Sequence, residues 1–357
     1  MLPPSPLVRV VELVRYGLAE AYRRLVPGRL ALMEMLVAGW LTQAIHAAAV
    51  LGLADALDER PLTLTELARA VDADEDALRR LLQLLIGHGV FARRRDGTYT
   101  LTPAARALRR DTPDSLRNVA LFFGSAPHRD HWSGIVDAVR TGRPVGAQPD
   151  GTVFESLRAD REFGELFDLA MTGIGALSTE ALLGAYDFTR FPTIVDVGGG
   201  HGALLTEILS RAPRSRGILA ELPEVTAAAD ARFAAAGLAQ RATAEPGSFF
   251  DSVPRGGDAY LLKHVVHDWP DDSAVRLLRS VHAAMTPDAR LLVVEIVLPH
   301  NDRPHPGKYI DLEMLVNSGG RERTEAEYRA LLDAAGFTVT RVIPTAAPES
   351  IIEARPA

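Results

Sequence analysis

The sequence of 357 residues is 47% hydrophobic, carries a formal net charge of −7 and contains no cysteine. That is enough apolar material for two cores, so one large or two ordinary soluble globular domains are expected. Disulfides, thiolate zinc sites and cysteine nucleophiles are excluded, and an acidic chain whose one basic run is Arg93 to Arg95 is a poor match to nucleic acid as a principal partner.

The opening Met-Leu-Pro-Pro-Ser-Pro has neither a charged n-region nor a clean apolar core, so no secretory signal is read and a cytoplasmic location is expected. Leu7 to Leu25 then carries apolar residues around much of a helical circumference. From Met35 to Ala54 there is no charged residue, a length that could span a bilayer. Its Ala and Gly content, Gln43 and His46 within it and Glu34 at its edge make its transfer into lipid weak. A helix apolar on nearly every side is more simply buried against protein, so these segments predict a partner chain and no membrane span.

Pro61 to Leu108 reads as a compact unit. Thr65 precedes a helix over 66–71, Asp72-Ala-Asp74 turns the chain, and Glu75 to His88 sets Ala77, Leu78, Leu81, Leu82 and Leu85 at helical spacing. Val90 to Arg93 and Thr98 to Leu101 flank Asp96-Gly97, a hairpin signal. Helix, helix, hairpin is a winged helix, and its obvious use is DNA binding. A recognition helix should lead with basic or amide side chains. This one starts Asp74-Glu75-Asp76, which repels phosphates, so a structural or dimerisation module is expected instead.

Ser115 to Tyr186 is mostly helical in pattern, broken by a polar Gly/Pro loop from Thr141 to Gly151. Phe122, Phe123, Trp132, Phe154, Phe163 and Phe167 gather here as core, with some available to wall an apolar pocket.

Ile194-Val-Asp-Val reads as a short buried strand, and Gly198-x-Gly200-x-Gly202 as the turn into a helix from Ala203. Glycines at a strand end let backbone approach a ligand that faces the next helix's free N–H groups. The spacing matches neither the dinucleotide nor the phosphate-loop glycine pattern. Strands follow at Arg216 to Ala220, Asp258 to Leu262, Leu291 to Val294, Phe337 to Val342 and Ser350 to Ala354, ending in Glu221, Lys263 and Glu295 for the first three. Helices fit between them at Glu224 to Ala236, Asp272 to Met285 and Glu325 to Ala335. This is a doubly wound α/β sheet, with ligands expected at the carboxyl ends of its strands. Glu221 lies about twenty residues past the glycines, where such folds set an acid against ribose hydroxyls. His267, in the loop after Lys263, with Glu295 and Glu322 further on, is a candidate general base held by carboxylates.

Val195-Asp-Val-Gly-Gly-Gly-His-Gly202, Glu221-Leu-Pro-Glu-Val225, Leu262-Lys-His-Val-Val-His-Asp-Trp269 and Gly319-Gly-Arg-Glu-Arg-Thr324 occur in this order. In these motifs the chain resembles the S-adenosylmethionine-dependent O-methyltransferases of the caffeic-acid type, which act on plant phenylpropanoids and flavonoids and on bacterial antibiotic phenols. The resemblance covers nearly the whole chain. It implies a class I methyltransferase Rossmann-like sheet behind an all-α/winged-helix dimerisation domain. The division would be dimerisation over 1–110, a helical linker contributing to the substrate pocket over 111–185, and a catalytic domain over 186–357.

The resemblance also implies roles. Asp196, Gly198, Gly199, Gly200, Glu221, Leu222, Ser248, Phe249 and Lys263 would bind S-adenosylmethionine, with the glycines at its methionine part, Glu221 at the ribose and Lys263 beside the adenine. His267 would be the base, flanked by Glu295 and Glu322, while Met171, Met314, Asp268 and Trp132 would meet an aromatic substrate. A homodimer through the N-terminal helices is implied, and S-adenosylhomocysteine would be the product. Glu221 stands in place of the usual Asp, Ser248 where plant members have an acid and Asp168 where they have an Asn, and Met314 to Gly319 is shorter than in plant members by a residue.

The chemistry suits these residue types. The sulfonium methyl is already activated, so alignment of an oxygen and removal of its proton suffice, and no metal is required. A phenol with pKa near ~10 is protonated at neutral pH, whereas an imidazole near ~6.5 is ready to accept. Two other readings remain open at this level. One is a relative that holds the cofactor structurally for hydroxylation or decarboxylation; the other is a winged-helix DNA-binding regulator.

Overall fold

The apolar runs on either side of the glycine turn become the middle of an eight-stranded sheet. The structure, a computed structural model, describes residues 5–112, 114–146 and 152–357. The first four residues of the opening hexapeptide and 147–151 of the polar loop lie outside the described residues.

The strands are β1 (Phe91–Arg93), β2 (Tyr99–Leu101), β3 (Thr193–Val197), β4 (Arg216–Glu221), β5 (Ala242–Pro246), β6 (Ala259–Lys263), β7 (Arg290–Leu298), β8 (Arg323–Thr324), β9 (Phe337–Pro344) and β10 (Glu349–Pro356). The large sheet has the order β5-β4-β3-β6-β7-β10-β9, with β8 paired to β7. β5, β4, β3, β6 and β7 are parallel, and β10 runs antiparallel to both β7 and β9. The winding leaves β3 toward β4 and β5, then returns to β6 on its other side. The carboxyl ends of β3 and β6 are therefore the topological switch point, where an open α/β sheet leaves a crevice.

Alternate residues of β6 feed two cores. Tyr260 and Leu262 pack with helices Asp271–Ala284 and Glu325–Ala334 on one face. Ala259 and Leu261 pack with helices Ala203–Arg211 and Pro223–Ala235 on the other. Burial on both faces is why these strands read as continuous apolar runs, each buried Leu or Val contributing about 1.5–3 kcal/mol.

Several elements differ from the sequence expectation. β5 was not anticipated: it is an edge strand, mostly exposed, and has no apolar alternation to show. Helix Pro306–Asn317, which carries Met314, was not assigned, and its apolar residues are spread around the circumference. β7 runs to Leu298, so Glu295 lies inside a buried strand and not at its end.

The chain divides into two compact units, one of residues 1–16, 134–159 and 175–357, the other of 17–133 and 160–174. The second contains the helix, helix, hairpin arrangement. Its first helix is Leu64–Ala70, started by a capping box in which Thr63 and Glu66 satisfy each other's backbone N–H. Thr63, not Thr65, is the cap. Asp74 caps Glu75–Gly87 through the Ala77 N–H, so an acidic cluster does open the second helix. β1 and β2 form the hairpin, extended by a bridge from Leu62 to Tyr99.

The uncharged segment runs through helix Gly28–Val50, whose Leu36 and Trp40 are exposed, and over Gly52 into the start of helix Leu53–Ala56. By length and apolarity Gly28–Val50 and Arg161–Ala185 could each cross a membrane.

Candidate active site

Gly198, Gly200 and Gly202 all have positive φ, at 70°, 57° and 70°, which takes the backbone off β3 and into helix Ala203–Arg211 with Gly202 at the cap. Gly199 is required sterically: a Cβ there would overlap the Asp196 carboxylate and come within 2.7 Å of Leu219 Cδ1. At Gly200 a Cβ would meet nothing within 4 Å, so this part of the turn faces open space. The Glu221 carboxylate at the end of β4 accepts the Gly200 N–H at 3.0 Å and the Leu222 N–H at 2.7 Å. The acid expected at a ribose is thus fastened to the glycine turn expected at the methionine end.

Asp196 is buried, and its Oδ2 has no hydrogen-bond partner among the described residues. Burial, and then the nearby Glu221 charge, push its pKa up to about 7. An unpaired buried acid behind a glycine turn suits a cationic ligand. Phe249 and Val265 crowd Gly198 from the other side, at 3.6 and 3.0 Å from where its Cβ would be. Ser248 Oγ accepts the Phe250 N–H, and Lys263 Nζ donates to the Gly175 carbonyl at 3.5 Å. Burial lowers the Lys263 pKa. Buried acid, open glycine backbone and aromatic wall together fit S-adenosylmethionine.

Next to this crevice, three segments bring the expected base and its acids together. His267 Nδ1 donates to Glu322 Oε1 at 2.8 Å and lies 3.5 Å from Glu295 Oε2; Nε2 lies 3.7 Å from Asp268 Oδ1. Glu295 Oε1 accepts the backbone N–H groups of Val265, Val266 and His267 at 3.2, 2.9 and 3.2 Å. One buried carboxylate therefore shapes the histidine's loop while the other fixes its tautomer. His267, Glu295 and Glu322 also offer donor atoms within 4.8 Å of one another, a spacing compatible with a metal ion.

The acids around the ring move His267 away from the ordinary imidazole pKa. Burial opposes charge on His267, but Glu295, Asp268 and Glu322 outweigh it and push its pKa up to about 10. Burial raises Glu295 to about 7 and Asp268 to about 6. If a neutral His267 is the reacting form, kcat/KM rises with pH through this raised pKa. Glu322→Gln removes one of the raising charges, so the acid limb is expected to move to lower pH by about one unit or more. A pH profile of kcat/KM reads this, and a limb that stays in place identifies another titrating group.

The remaining expected residues divide. Met314 lies half-buried in helix Pro306–Asn317 and its Sδ accepts the Ser318 hydroxyl at 3.6 Å. Trp132, in Ala126–Ser133, and Met171, in Arg161–Ala185, belong to the second unit. Sequence reasoning missed His264, whose φ of +54° is in the left-handed region and whose ring stacks on His267 at 5.4 Å. Its Nε2 lies 3.1 Å from Glu349 Oε1 on β10. Arg323, fully buried, was missed too, although the motif containing it had been singled out.

Comparison with known proteins agrees with this geometry. The sequence matches the O-methyltransferase domain over residues 132–338 and the O-methyltransferase dimerisation domain over 33–111. It is 40% identical to the phenazine O-methyltransferase PhzM of Lysobacter antibioticus across 93% of this chain and 97% of that protein. It is 36% identical to the aclacinomycin 10-hydroxylase RdmB of Streptomyces purpurascens across 83% and 81%. Its fold matches the crystal structure of NcsB1, an O-methyltransferase from neocarzinostatin biosynthesis in complex with S-adenosylmethionine and 2-hydroxy-5-methyl naphthoic acid. The TM-score is 0.73 and the identity 32%, over 89% of this chain and 96% of that one. With both domains matched and this sheet order, the chain belongs to the O-methyltransferase family of the caffeic-acid type and is an O-methyltransferase.

Proposed function

We propose that this enzyme methylates a phenolic hydroxyl of an aromatic secondary metabolite, with His267 as general base. The observation that carries this reading is the buried His267, tied by Nδ1 to Glu322 and left with Nε2 for an acceptor. S-adenosylmethionine supplies an electrophilic methyl when bound. The acceptor oxygen would take that methyl, leaving S-adenosylhomocysteine, while His267 Nε2 would take the hydroxyl proton. Glu322 and Glu295 stabilise the imidazolium so formed. No metal enters these steps.

In the same reading Asp196, the glycine turn, Glu221, Leu222, Ser248, Phe249 and Lys263 hold the cofactor, and Met171, Met314, Asp268 and Trp132 contact the acceptor. The aromatic ligand in the NcsB1 complex supports a flat acceptor. The exposed apolar residues of helix Gly28–Val50 would be covered by a second copy of the chain, since the dimerisation match begins within that helix. This is a soluble dimer with neither membrane nor nucleic acid as partner.

The test is methyl transfer from isotopically labelled S-adenosylmethionine to phenazine, naphthoate, catechol and polyketide phenols, with cofactor binding by calorimetry and a chelator-treated control. Transfer unaffected by chelation is expected. The similarity to RdmB supplies a second reading, hydroxylation with the cofactor held structurally. Tight cofactor binding with an oxygenated, unmethylated product would establish that one instead.

A further inference from the structure

Arg323 is 1% exposed, and each of its five N–H groups has an acceptor. Nε and Nη2 donate to Asp271 Oδ1 at 3.0 and 2.7 Å, and Nη2 also donates to the Trp269 carbonyl at 2.9 Å. Nη1 donates to the carbonyls of Val266 and Arg321 at 3.3 and 3.2 Å. All these acceptors belong to two short segments. Val266, Trp269 and Asp271 bracket His267; Arg321 adjoins Glu322. The same junction is closed by the Arg321 N–H, which donates to the His267 carbonyl at 2.8 Å.

We propose that Arg323 is a positioning residue for the base: its guanidinium fixes the loop that carries His267 against the turn that carries Glu322. The inference rests on His267 being the base and adds what holds it. Burying a guanidinium against carbonyls and one half-exposed carboxylate is costly. That cost falls at the junction between the segment of His267 and the segment of Glu322. Arg241 gives the contrast. It also donates to three backbone carbonyls, those of Leu209, Ala212 and Ser215, but ties together segments away from the base.

Arg323→Lys keeps the charge and loses the planar fork, since an ammonium has three donors at one point and cannot span both segments. It therefore reads geometry rather than charge. The full chain, labelled with 15N-histidine, would be titrated by NMR, with His267 assigned from His267→Gln. The titration needs no turnover, so it stays informative even if no acceptor is methylated. In Arg323→Lys the His267 pKa is expected to fall by about one unit or more as Glu322 moves away. With an acceptor in hand, kcat is expected to fall about 10²-fold with KM for the cofactor little changed. Arg241→Lys is expected to lower Tm and leave both readouts alone. An unchanged His267 titration in folded Arg323→Lys overturns the proposal, whatever happens to Tm. If that variant does not fold, Asp271→Asn decides: its carboxylate is 59% exposed, so folding survives, and a smaller shift in the same direction is expected. No shift there counts against the proposal equally.

Discussion

His267→Ala is expected to lower kcat by about 10²- to 10⁴-fold while leaving the dissociation constant for S-adenosylmethionine within about threefold of the original. The split follows from the geometry. The glycine turn, Asp196 and Glu221 stand at the ends of β3 and β4, whereas His267 stands on the loop after β6 with its ring against Glu295, Asp268 and Glu322. On the proposed roles, removing the ring would take the proton acceptor away and leave the cofactor crevice standing. The acceptor's own acidity discriminates a base from a residue that only shapes the pocket. A phenol with pKa near ~10 needs its proton removed, but a nitrophenol near ~7 is already half ionised at neutral pH. The loss in His267→Ala should therefore shrink as the acceptor becomes more acidic. An equal loss for both acceptors would show that the ring aligns the substrate without taking its proton.

The raised His267 pKa sharpens that expectation. The raised pKa favours the imidazolium form of His267 at neutral pH. The direction of this shift is legible in the sequence, since acids near the ring raise its pKa, but its size is not. A motif shows that a histidine and two acids exist, but a pKa depends on contacts of 2.8 and 3.5 Å set by three segments far apart in the chain. What was legible is what local physics writes into adjacent residues. The buried runs of β3, β6 and β7, the glycine turn and the acid at Glu221 could all be read, because burial on two faces and positive φ each demand particular residue types. β5 was illegible because an exposed edge strand needs no apolar pattern. Arg323 had no legible role, since nothing in a sequence says that three carbonyls and one carboxylate oxygen will converge on it.

Gly320→Ala is expected to damage both stability and turnover, more than substitution at the neighbouring Gly319. Gly320 has an ordinary φ, so the strain argument that protects many glycines does not apply. What forbids a side chain is space. A Cβ there would overlap the His267 carbonyl oxygen and lie within 2.6 Å of the Trp269 nitrogen. Both are backbone atoms of the loop that carries His267, held by Glu295 from one side and Arg323 from the other. They cannot rotate away as a side-chain tip would, so the loop itself must move. Overpacking of this kind costs about 1–3 kcal/mol or more, and displacing the base by about 1 Å costs about 10²-fold in rate. Gly319 has φ of +76°, and the nearest atoms to a Cβ there are those of the Pro144 ring, at 3.2 Å. Gly319→Ala should therefore cost about 1 kcal/mol from the left-handed conformation and leave His267 in place. Thermal unfolding and kcat measured side by side separate the two. If both variants lose stability alike and keep their turnover, the loop around His267 is looser than this packing requires, and its position is set elsewhere.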